Sequence, residues 1–244
     1  MYDLLVFNRD RDIIIDREGD LLSLVYSYRL TSFSGAAPCM DHNYLTLAIC
    51  KRDMRRVIGR QFLAGANNTI WFIGIVGTGL SEYEPFINRA GEFLYIAKLT
   101  DVRTFTDYFS DIKDDRMDKI YLPDKNGMYG KKVRFSPKAN NGIHDTKKLC
   151  DKDWDIQHGS KETYVLCSDC FCVLTSEQSK KLRSLSPDYA CYPERQGHRY
   201  FSVEDNSPFI AALHSFTDPD KNPKLYQQNE SICTLPRCGK VKAV

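Results

Sequence analysis

The chain has 244 residues, of which 27% are charged and 42% are hydrophobic, with a formal net charge of +2. Such a chain can bury a sizeable core in one or two domains. The small net charge does not by itself indicate a nucleic-acid-binding protein, so such binding must depend on local clusters of Lys and Arg. No apolar run approaches the roughly 20 residues of a membrane span, and no signal peptide is recognisable. We therefore expect a cytoplasmic protein that does not contact membranes, with reduced thiols at its nine cysteines.

The first 25 residues are predicted to form a β-hairpin outside the core fold. Short apolar runs at residues 4–7 and 13–15 flank a charged stretch, which is the pattern of two strands joined by an exposed turn. The last residues are polar and rich in Pro and Lys. We assign an extension to residues 1–25, one compact domain to residues 26–218 and a tail to residues 219–244.

Residues 26–56 carry the pattern on which the functional prediction depends. Residues 21–30 and 44–50 are predicted strands, and a loop of small and polar residues joins them. The second strand ends in Lys51, Arg52, Arg55 and Arg56. A rigid strand that ends in clustered cations can hold phosphate groups, whereas a solvated basic turn has the same pattern.

Strands and short helices follow along the chain. One or two helical turns are predicted over residues 54–62, a buried strand over residues 70–77 and a long strand over residues 92–104. Gly77-Thr78-Gly79 closes the buried strand. A Gly-x-Gly without a following Gly-Lys-Ser/Thr is weak evidence for a triphosphate-binding loop.

The second half is predicted to contain one strand at residues 164–174 and a helix at residues 176–185 that Ser176 caps. Residues 187–204 are predicted to be irregular, and Ser207-Pro208 opens a helix that ends at residue 216.

Two groups of residues invite chemical interpretations. Cys167, Cys170 and Cys172 have a zinc-like spacing, but zinc needs four converging ligands, and the other cysteines are scattered. Cysteines that fill apolar positions explain the same pattern, so we predict no metal and no cofactor. His144 beside Asp145 is either a general base oriented by a carboxylate or a loop histidine bonded to the backbone.

Several short motifs together resemble the second type of nucleotide-modification-associated domain. They are Tyr26-Ser27-Tyr28, Gly35-Ala36-Ala37-Pro38, the run from Leu47 to Lys51 with its two following arginines, Lys119-Ile120-Tyr121, and Ser168 with Phe171. The match departs where Asn68 or Thr69 stands near the usual Asp of a Gly-Asp-Trp segment. The resemblance implies a role beside DNA base modification, in bacterial or phage modification and defence systems.

The element order over residues 70–110 also resembles, more distantly, the PUA-like superfamily, especially its EVE and ASCH branches. The similar features are a strand, a glycine-bounded turn, a strand that ends in Asp-Val and a short helix with Tyr108. This resemblance implies an α+β fold in which a small mixed β-barrel with flanking helices holds one flipped base.

The preferred hypothesis is a nucleic-acid-binding domain that recognises a modified base in DNA or in a nucleotide. Aromatic rings would stack on the base, cations would hold the phosphates and loop backbone would test the base edge. The residues assigned to this site are Tyr26, Ser27, Tyr28, Gly35, Pro38, Lys51, Arg55, Arg56, Trp71, Thr78, Tyr95 and Ser168.

Two alternatives stay open at this point. The first is an enzyme that makes, alters or removes a modified nucleotide, with His144 as acid or base, Lys51 as phosphate clamp or nucleophile and Tyr28 or Ser27 as proton relay. The second is a partner-binding subunit of a modification or defence complex that docks through the edge of the N-terminal hairpin.

Overall fold

The structure is a computed structural model. It describes residues 22–31, 33, 37–41, 44–65, 68–110, 116, 118–129, 132–137, 164–186, 193 and 197–220. The predicted N-terminal hairpin, Gly35, His144 and the tail beyond residue 220 lie outside the described residues.

The described residues form strands, four α-helices and a 3-10 turn at Leu80–Glu82. The strands are β1 (Leu22–Leu30), β2 (Cys39–Asp41), β3 (Tyr44–Leu47), β4 (Ile70–Val76), β5 (Phe93–Lys98), β6 (Asp101–Thr104), β7 (Tyr121–Tyr129), β8 (Lys132–Pro137), β9 (Tyr164–Ser168), β10 (Cys170–Val173) and β11 (His198–Glu204). The helices are α1 (Arg52–Leu63), α2 (Phe105–Ser110), α3 (Ser176–Leu185) and α4 (Pro208–Thr217).

A five-stranded sheet in the order β10-β5-β4-β1-β11 forms the centre of the fold. Strands β1 and β4 are parallel neighbours, and the other pairs are antiparallel. Parallel neighbours need a crossover, which β2, β3 and α1 provide. Every residue of β4 is buried because this strand lies in the middle of the sheet and both of its faces are covered.

A second sheet has the order β2-β3-β9-β6 with antiparallel pairing, and β7 pairs with β8 in a separate hairpin. The mixture of sheets and short helices confirms the predicted α+β class. The described strands form open sheets, so the predicted small PUA-like barrel stays a prediction.

Side-chain alternation on the strands divides the core between the two faces of the central sheet. On one face, Tyr26, Tyr28 and Phe72 pack with residues of the second sheet and of α1. On the other face, Val25, Trp71 and Ile73 pack with residues of α3 and α4. The period of two in strands causes this division, because successive side chains point to opposite faces.

Two of the predicted helices are confirmed with small shifts at their ends. Helix α1 covers the predicted residues 54–62, and α4 begins after Ser207, whose hydroxyl accepts a hydrogen bond from the Ile210 backbone N–H. Helix α3 occupies the predicted range, but its cap is Thr175 rather than Ser176. Thr175 forms a reciprocal capping box with Gln178, which satisfies two backbone N–H groups at once.

Two strand predictions and one prediction of irregular structure were wrong, and they share one cause. The strands predicted at residues 164–174 and 92–104 are each broken into two, since the chain leaves one sheet and enters the other at Asp169 and at Leu99-Thr100. Residues 198–204, predicted to be irregular, form the edge strand β11 against β1. Pairing between distant segments decides all three, and local periodicity does not report it.

Within the part of the chain that the structure describes, no helix has both the length and the apolar composition needed to cross a membrane.

Candidate functional site

Two buried tyrosines meet near the carboxyl ends of the parallel strands β1 and β4. Tyr28 lies opposite Gly74 in the β1–β4 register, and Gly74 lies opposite Tyr95 in the β4–β5 register. A Cβ atom at Gly74 would lie 2.2 Å from Cε1 of Tyr95, so the absence of a side chain leaves room for the second ring. The two hydroxyl groups are hydrogen-bonded to each other. Burial raises the pKa of both phenols, which therefore stay protonated at neutral pH.

Lys51 places a cation above this pair. Its Nζ lies 5.3 Å from the centroid of the Tyr28 ring, which is a cation–π contact. The side chain is half-buried, and it makes no hydrogen bond or ion pair with any residue that the structure describes. Burial lowers the pKa of the Lys51 ammonium group, and the nearby Cys50 thiol counteracts this shift only in part.

The backbone that presents Lys51 is strained. Cys50 has φ 63° and Lys51 has φ 48°, so two successive residues with side chains adopt the left-handed conformation before α1 begins. This conformation costs about 1–2 kcal/mol for each non-glycine residue. Arg55 holds it in place, because its Nε donates to the Cys50 carbonyl (2.7 Å) and its Nη1 to the Tyr164 carbonyl (2.6 Å). Strain of this kind is concentrated at functional sites.

His198 completes the group. It lies opposite Tyr28 in the antiparallel pairing of β11 with β1. Burial and then the positive charge of Lys51 lower the pKa of His198, while Asp53 opposes the shift. The imidazole is therefore neutral at pH 7 and can both donate and accept a proton. We name Tyr28, Lys51, Tyr95 and His198 the Lys51 cluster.

Comparison of the sequence with protein-family models identifies the family of this chain. The family model described as nucleotide modification associated domain 2 matches residues 22–229. The chain belongs to this family. The comparisons with curated proteins and with solved structures found no match to this chain. Membership confirms the resemblance seen in the sequence and places the protein among domains associated with nucleotide modification, and the Lys51 cluster lies inside the matched range.

Several residues that were predicted to form the site of this nucleotide modification associated domain lie away from the Lys51 cluster. Trp71 lies on the opposite face of the central sheet from Tyr28 and Tyr95, where its ring meets His214 edge to face at 5.0 Å. Ser27 is buried and alternates with Tyr26 and Tyr28 along β1, so it too belongs to that opposite face. Trp71 and Ser27 are therefore not grouped with the tyrosines.

Tyr26 lies on the same face as Tyr28 but is held by the core. Its hydroxyl donates to Oε1 of Gln61 on α1 at 2.5 Å, and its ring stacks on Tyr200 at 5.2 Å. Burial raises the pKa of Tyr26. Because its hydroxyl and its ring both contact the protein, Tyr26 joins β1, α1 and β11 rather than presenting an open stacking surface.

The four clustered cations of the domain do not form one surface. Arg55 is fully buried (0% exposed), and its two bonds to carbonyl groups make it part of the fold instead of the predicted phosphate grip. Arg52 is paired with Asp53 at 3.5 Å. Arg56 is half-buried, and its Nε has no hydrogen-bond partner among the described residues. Lys51 alone of the four lies against the tyrosine pair.

The remaining predicted residues lie in turns. Thr78 is exposed at the turn after β4, where the Gly77 N–H donates to the Leu30 carbonyl at the end of β1 (3.0 Å). Pro38 is buried beside β2. Ser168 is buried at the β9–β10 turn, where its hydroxyl bonds both the N–H and the carbonyl of Cys170. Thr78 is the one of these three at the same end of β1 and β4 as Tyr28.

The cysteines and the proposed acid–base histidine add no second site to the described residues. Burial raises the pKa of Cys167 to about 11 and that of Cys172 to about 12, as expected for thiols that fill apolar positions. In the described stretches, no three His, Cys, Asp or Glu side chains converge as a metal ion requires. His144 and the hairpin proposed for docking lie outside those stretches, so their roles stay predictions.

A second polar cluster, which the sequence interpretation missed, lies between the second sheet and α2. Asp118 is fully buried and accepts hydrogen bonds from the Thr46 hydroxyl (2.5 Å) and the Tyr108 hydroxyl (2.7 Å). Nη2 of Arg116 donates to the Tyr44 carbonyl at 2.8 Å and to the Thr46 hydroxyl at 3.1 Å. Lys119 donates to the Tyr108 carbonyl. We name Thr46, Tyr108, Arg116, Asp118 and Lys119 the Asp118 network.

Proposed function

We propose that the domain binds a nucleotide or nucleic acid at the Lys51 cluster and recognises a modified base there. Family membership supports the nucleotide as the class of ligand. The finer proposal is DNA that carries a modified base, within a base-modification or phage-defence system. The position of the cluster near the carboxyl ends of two parallel strands also agrees with where open sheets commonly bind ligands.

The observation that carries this proposal is the half-buried Lys51 ammonium with no anionic partner among the described residues. A partly desolvated charge without a counter-ion is unfavourable, and a phosphate group would supply the missing charge. The first turn of α1 follows directly, and no side chain caps it. The helix dipole would add to the attraction of an anion.

Base recognition at this site would use hydrogen bonds more than stacking. Tyr28 and Tyr95 are buried, and Lys51 already covers one face of the Tyr28 ring. The half-buried, neutral His198 imidazole offers a donor and an acceptor to a polar base edge. Sites that use hydrogen bonds discriminate strongly between bases that differ in one polar group, since an unmatched buried group costs about 1–3 kcal/mol.

The test is a binding panel of plain and modified oligonucleotides, measured by fluorescence anisotropy at two or more salt concentrations. We expect Lys51→Met to weaken binding about tenfold, since a charge-assisted bond contributes about 1.5–3 kcal/mol. The slope of log affinity against log salt should become less negative by about one.

The matched control is Arg60→Met, which removes an exposed cation from the last turn of the same helix. It should leave affinity and salt slope close to those of the unmodified chain. Equal losses in both variants would show a diffuse charge effect and would contradict a phosphate site at Lys51.

A further inference from the structure

We propose that Lys51 forms a covalent imine with a nucleotide that carries an aldehyde. This inference rests on the proposed function, because it names the class of modified nucleotide that the Lys51 cluster would hold. It goes further in assigning chemistry to a residue that simple recognition would use only as a charge.

The surroundings of Lys51 are those of a reactive amine. Its side chain is half-buried and has no ion pair among the described residues to hold the ammonium form. The cation–π contact with the Tyr28 ring favours the ammonium form and so opposes the effect of burial. An ammonium ion has no lone pair, so only the uncharged amine attacks a carbonyl carbon. Burial lowers the pKa of Lys51, which increases the uncharged share at neutral pH relative to an exposed lysine.

A group that can move protons interacts with the amine, because the charge of Lys51 acts on His198. The Tyr28 and Tyr95 hydroxyls form a hydrogen-bonded pair below the amine, and both stay protonated because burial raises their pKa. His198 lies opposite Tyr28 and is neutral at pH 7. Cys50 and Asp53 are the other titratable groups whose charge acts on this cluster. His198 is half-buried, so it can accept a proton from nitrogen and return one to the departing oxygen.

The reaction balances without any further reagent. The amine lone pair attacks the aldehyde carbon, the C–N bond forms, and the carbonyl oxygen takes a proton to give a carbinolamine. Loss of water then breaks the C–O bond, and nitrogen loses its remaining proton as the C=N bond forms. An amine and an aldehyde yield an imine and one water molecule, with no change in oxidation state.

We choose an aldehyde as the electrophile because of the reactivity of an amine. An amine condenses with an aldehyde without an activated leaving group, whereas attack at phosphorus needs one, such as the pyrophosphate of a bound triphosphate. The Gly77-Thr78-Gly79 turn does not offer the loop for that, because a Cβ at Gly77 would lie 2.3 Å from the Leu30 carbonyl oxygen and no Gly-Lys-Ser/Thr follows. Nucleic acid presents an aldehyde either on a formylated base or on the opened sugar of an abasic site.

The experiment is reductive trapping with cyanoborohydride, applied to the full chain. Three oligonucleotides of one sequence carry a formylated pyrimidine, an abasic site or the plain base. We expect a covalent adduct with at least one aldehyde oligonucleotide and none with the plain one. Peptide mapping by mass spectrometry should place it at Lys51, at least about tenfold above any other lysine. The first two arms distinguish a base aldehyde from a sugar aldehyde.

Three variants separate this chemistry from binding. Lys51→Arg keeps the positive charge but has no amine that forms an imine, so it should bind DNA and lose trapping. Lys180→Arg, at an exposed site on α3, should keep both. Cys50→Ser should also keep trapping, because a thiol adduct with an aldehyde is not fixed by the reductant.

The outcomes distinguish the two proposals. If the unmodified chain binds the aldehyde oligonucleotides but yields no adduct at Lys51, the imine inference is overturned and the binding site stands. An adduct spread evenly over exposed lysines also overturns it. If neither binding nor an adduct at Lys51 is found, both proposals fail. A thermal melt of each variant confirms that it is folded.

Discussion

The Lys51 cluster and the Asp118 network are both groups of charged and aromatic residues, but they differ in how their polar groups are satisfied. Asp118 is fully buried and accepts bonds from two side-chain hydroxyls, and Arg116 donates to neighbouring carbonyls. Lys51 is half-buried and its side chain makes no hydrogen bond or ion pair among the described residues. Its Nζ lies over the Tyr28 ring, and its backbone is strained. Arg116 Nε makes no hydrogen bond among the described residues, but it faces the Asp118 carboxylate as an ion pair at 3.8 Å. The charges of the Asp118 network therefore have partners of opposite charge inside the protein, whereas Lys51 has none among the described residues.

This difference separates polar groups that stabilise the fold from polar groups that are available to bind a ligand. A satisfied buried network stabilises the arrangement of its elements, and removing one member leaves the others unpaired. An unpaired charge and a left-handed backbone cost stability, so they persist when something other than folding selects them. Substitutions in the Asp118 network should therefore reduce stability, and substitutions at Lys51 should reduce binding without reducing stability.

The largest effect is expected for Asp118→Ala. The change leaves the Thr46 and Tyr108 hydroxyls without their acceptor and removes the ion pair between Arg116 and Asp118 (3.8 Å). It should lower the free energy of unfolding by about 3–5 kcal/mol. Urea unfolding measures this value. Asp169→Ala, at an exposed turn, is the control and should have little effect. A similar small loss in both variants would mean that the network does not hold the second sheet to α2.

Arg55→Met should have the next largest effect, a loss of about 2–4 kcal/mol, because it removes two charge-assisted bonds to backbone carbonyls. The loss should appear in unfolding experiments whether or not nucleic acid is present. Arg60→Met is the matched control on the same helix. Normal stability combined with weakened DNA binding in Arg55→Met would restore Arg55 to the phosphate site.

Lys51→Gly should have a smaller effect of the opposite sign. Glycine adopts the left-handed conformation without steric cost, so the free energy of unfolding should rise by about 0.5–1 kcal/mol while binding falls. Arg52→Gly, one residue later in the first turn of α1, should lower stability instead. A loss of stability in Lys51→Gly would show that the lysine side chain supports the fold and would contradict the contrast between the regions.

The smallest effect concerns the pKa of His198, which NMR titration can follow. Burial and the Lys51 charge hold this pKa below 6.5, so the charged imidazole is disfavoured in the folded state. Between the pKa of His198 in the folded state and its higher pKa in the unfolded state, the unfolded chain binds more protons. The free energy of unfolding therefore rises as the pH increases through this range. Lys51→Met should raise the pKa of His198, and Lys51→Arg should not. An unchanged pKa in Lys51→Met would separate His198 from the cluster.

Local patterns in the sequence were enough for part of this picture. The alternation in β1, the apolar run of β4 and the Ser-Pro start of α4 each specify an element through nearby residues. Tyr28, Lys51 and Tyr95 were all assigned to the site. His198 was not, because its role depends on pairing with Tyr28 across the length of the chain.

The same limit applies to Gly74 and to Asp118. Gly74 separates two tyrosines that the strand order brings to its sides, and Asp118 meets Thr46 only through the packing of the second sheet. Arg55 was misassigned for a related reason, since a basic residue in a charge cluster gives no local sign that its partners are buried carbonyls. Tertiary contacts determine each of these cases.

The central claim is that nucleic acid binds the unsatisfied cluster and not the satisfied one. The most direct test is to titrate the protein with an oligonucleotide that it binds and to follow the chemical shifts of the backbone amides by NMR. We predict saturable shifts at Arg52, Asp53 and His198, and none at Thr46 or Ile120. Shifts at Thr46 and Ile120, with the first turn of α1 unmoved while the oligonucleotide is bound, would contradict the account.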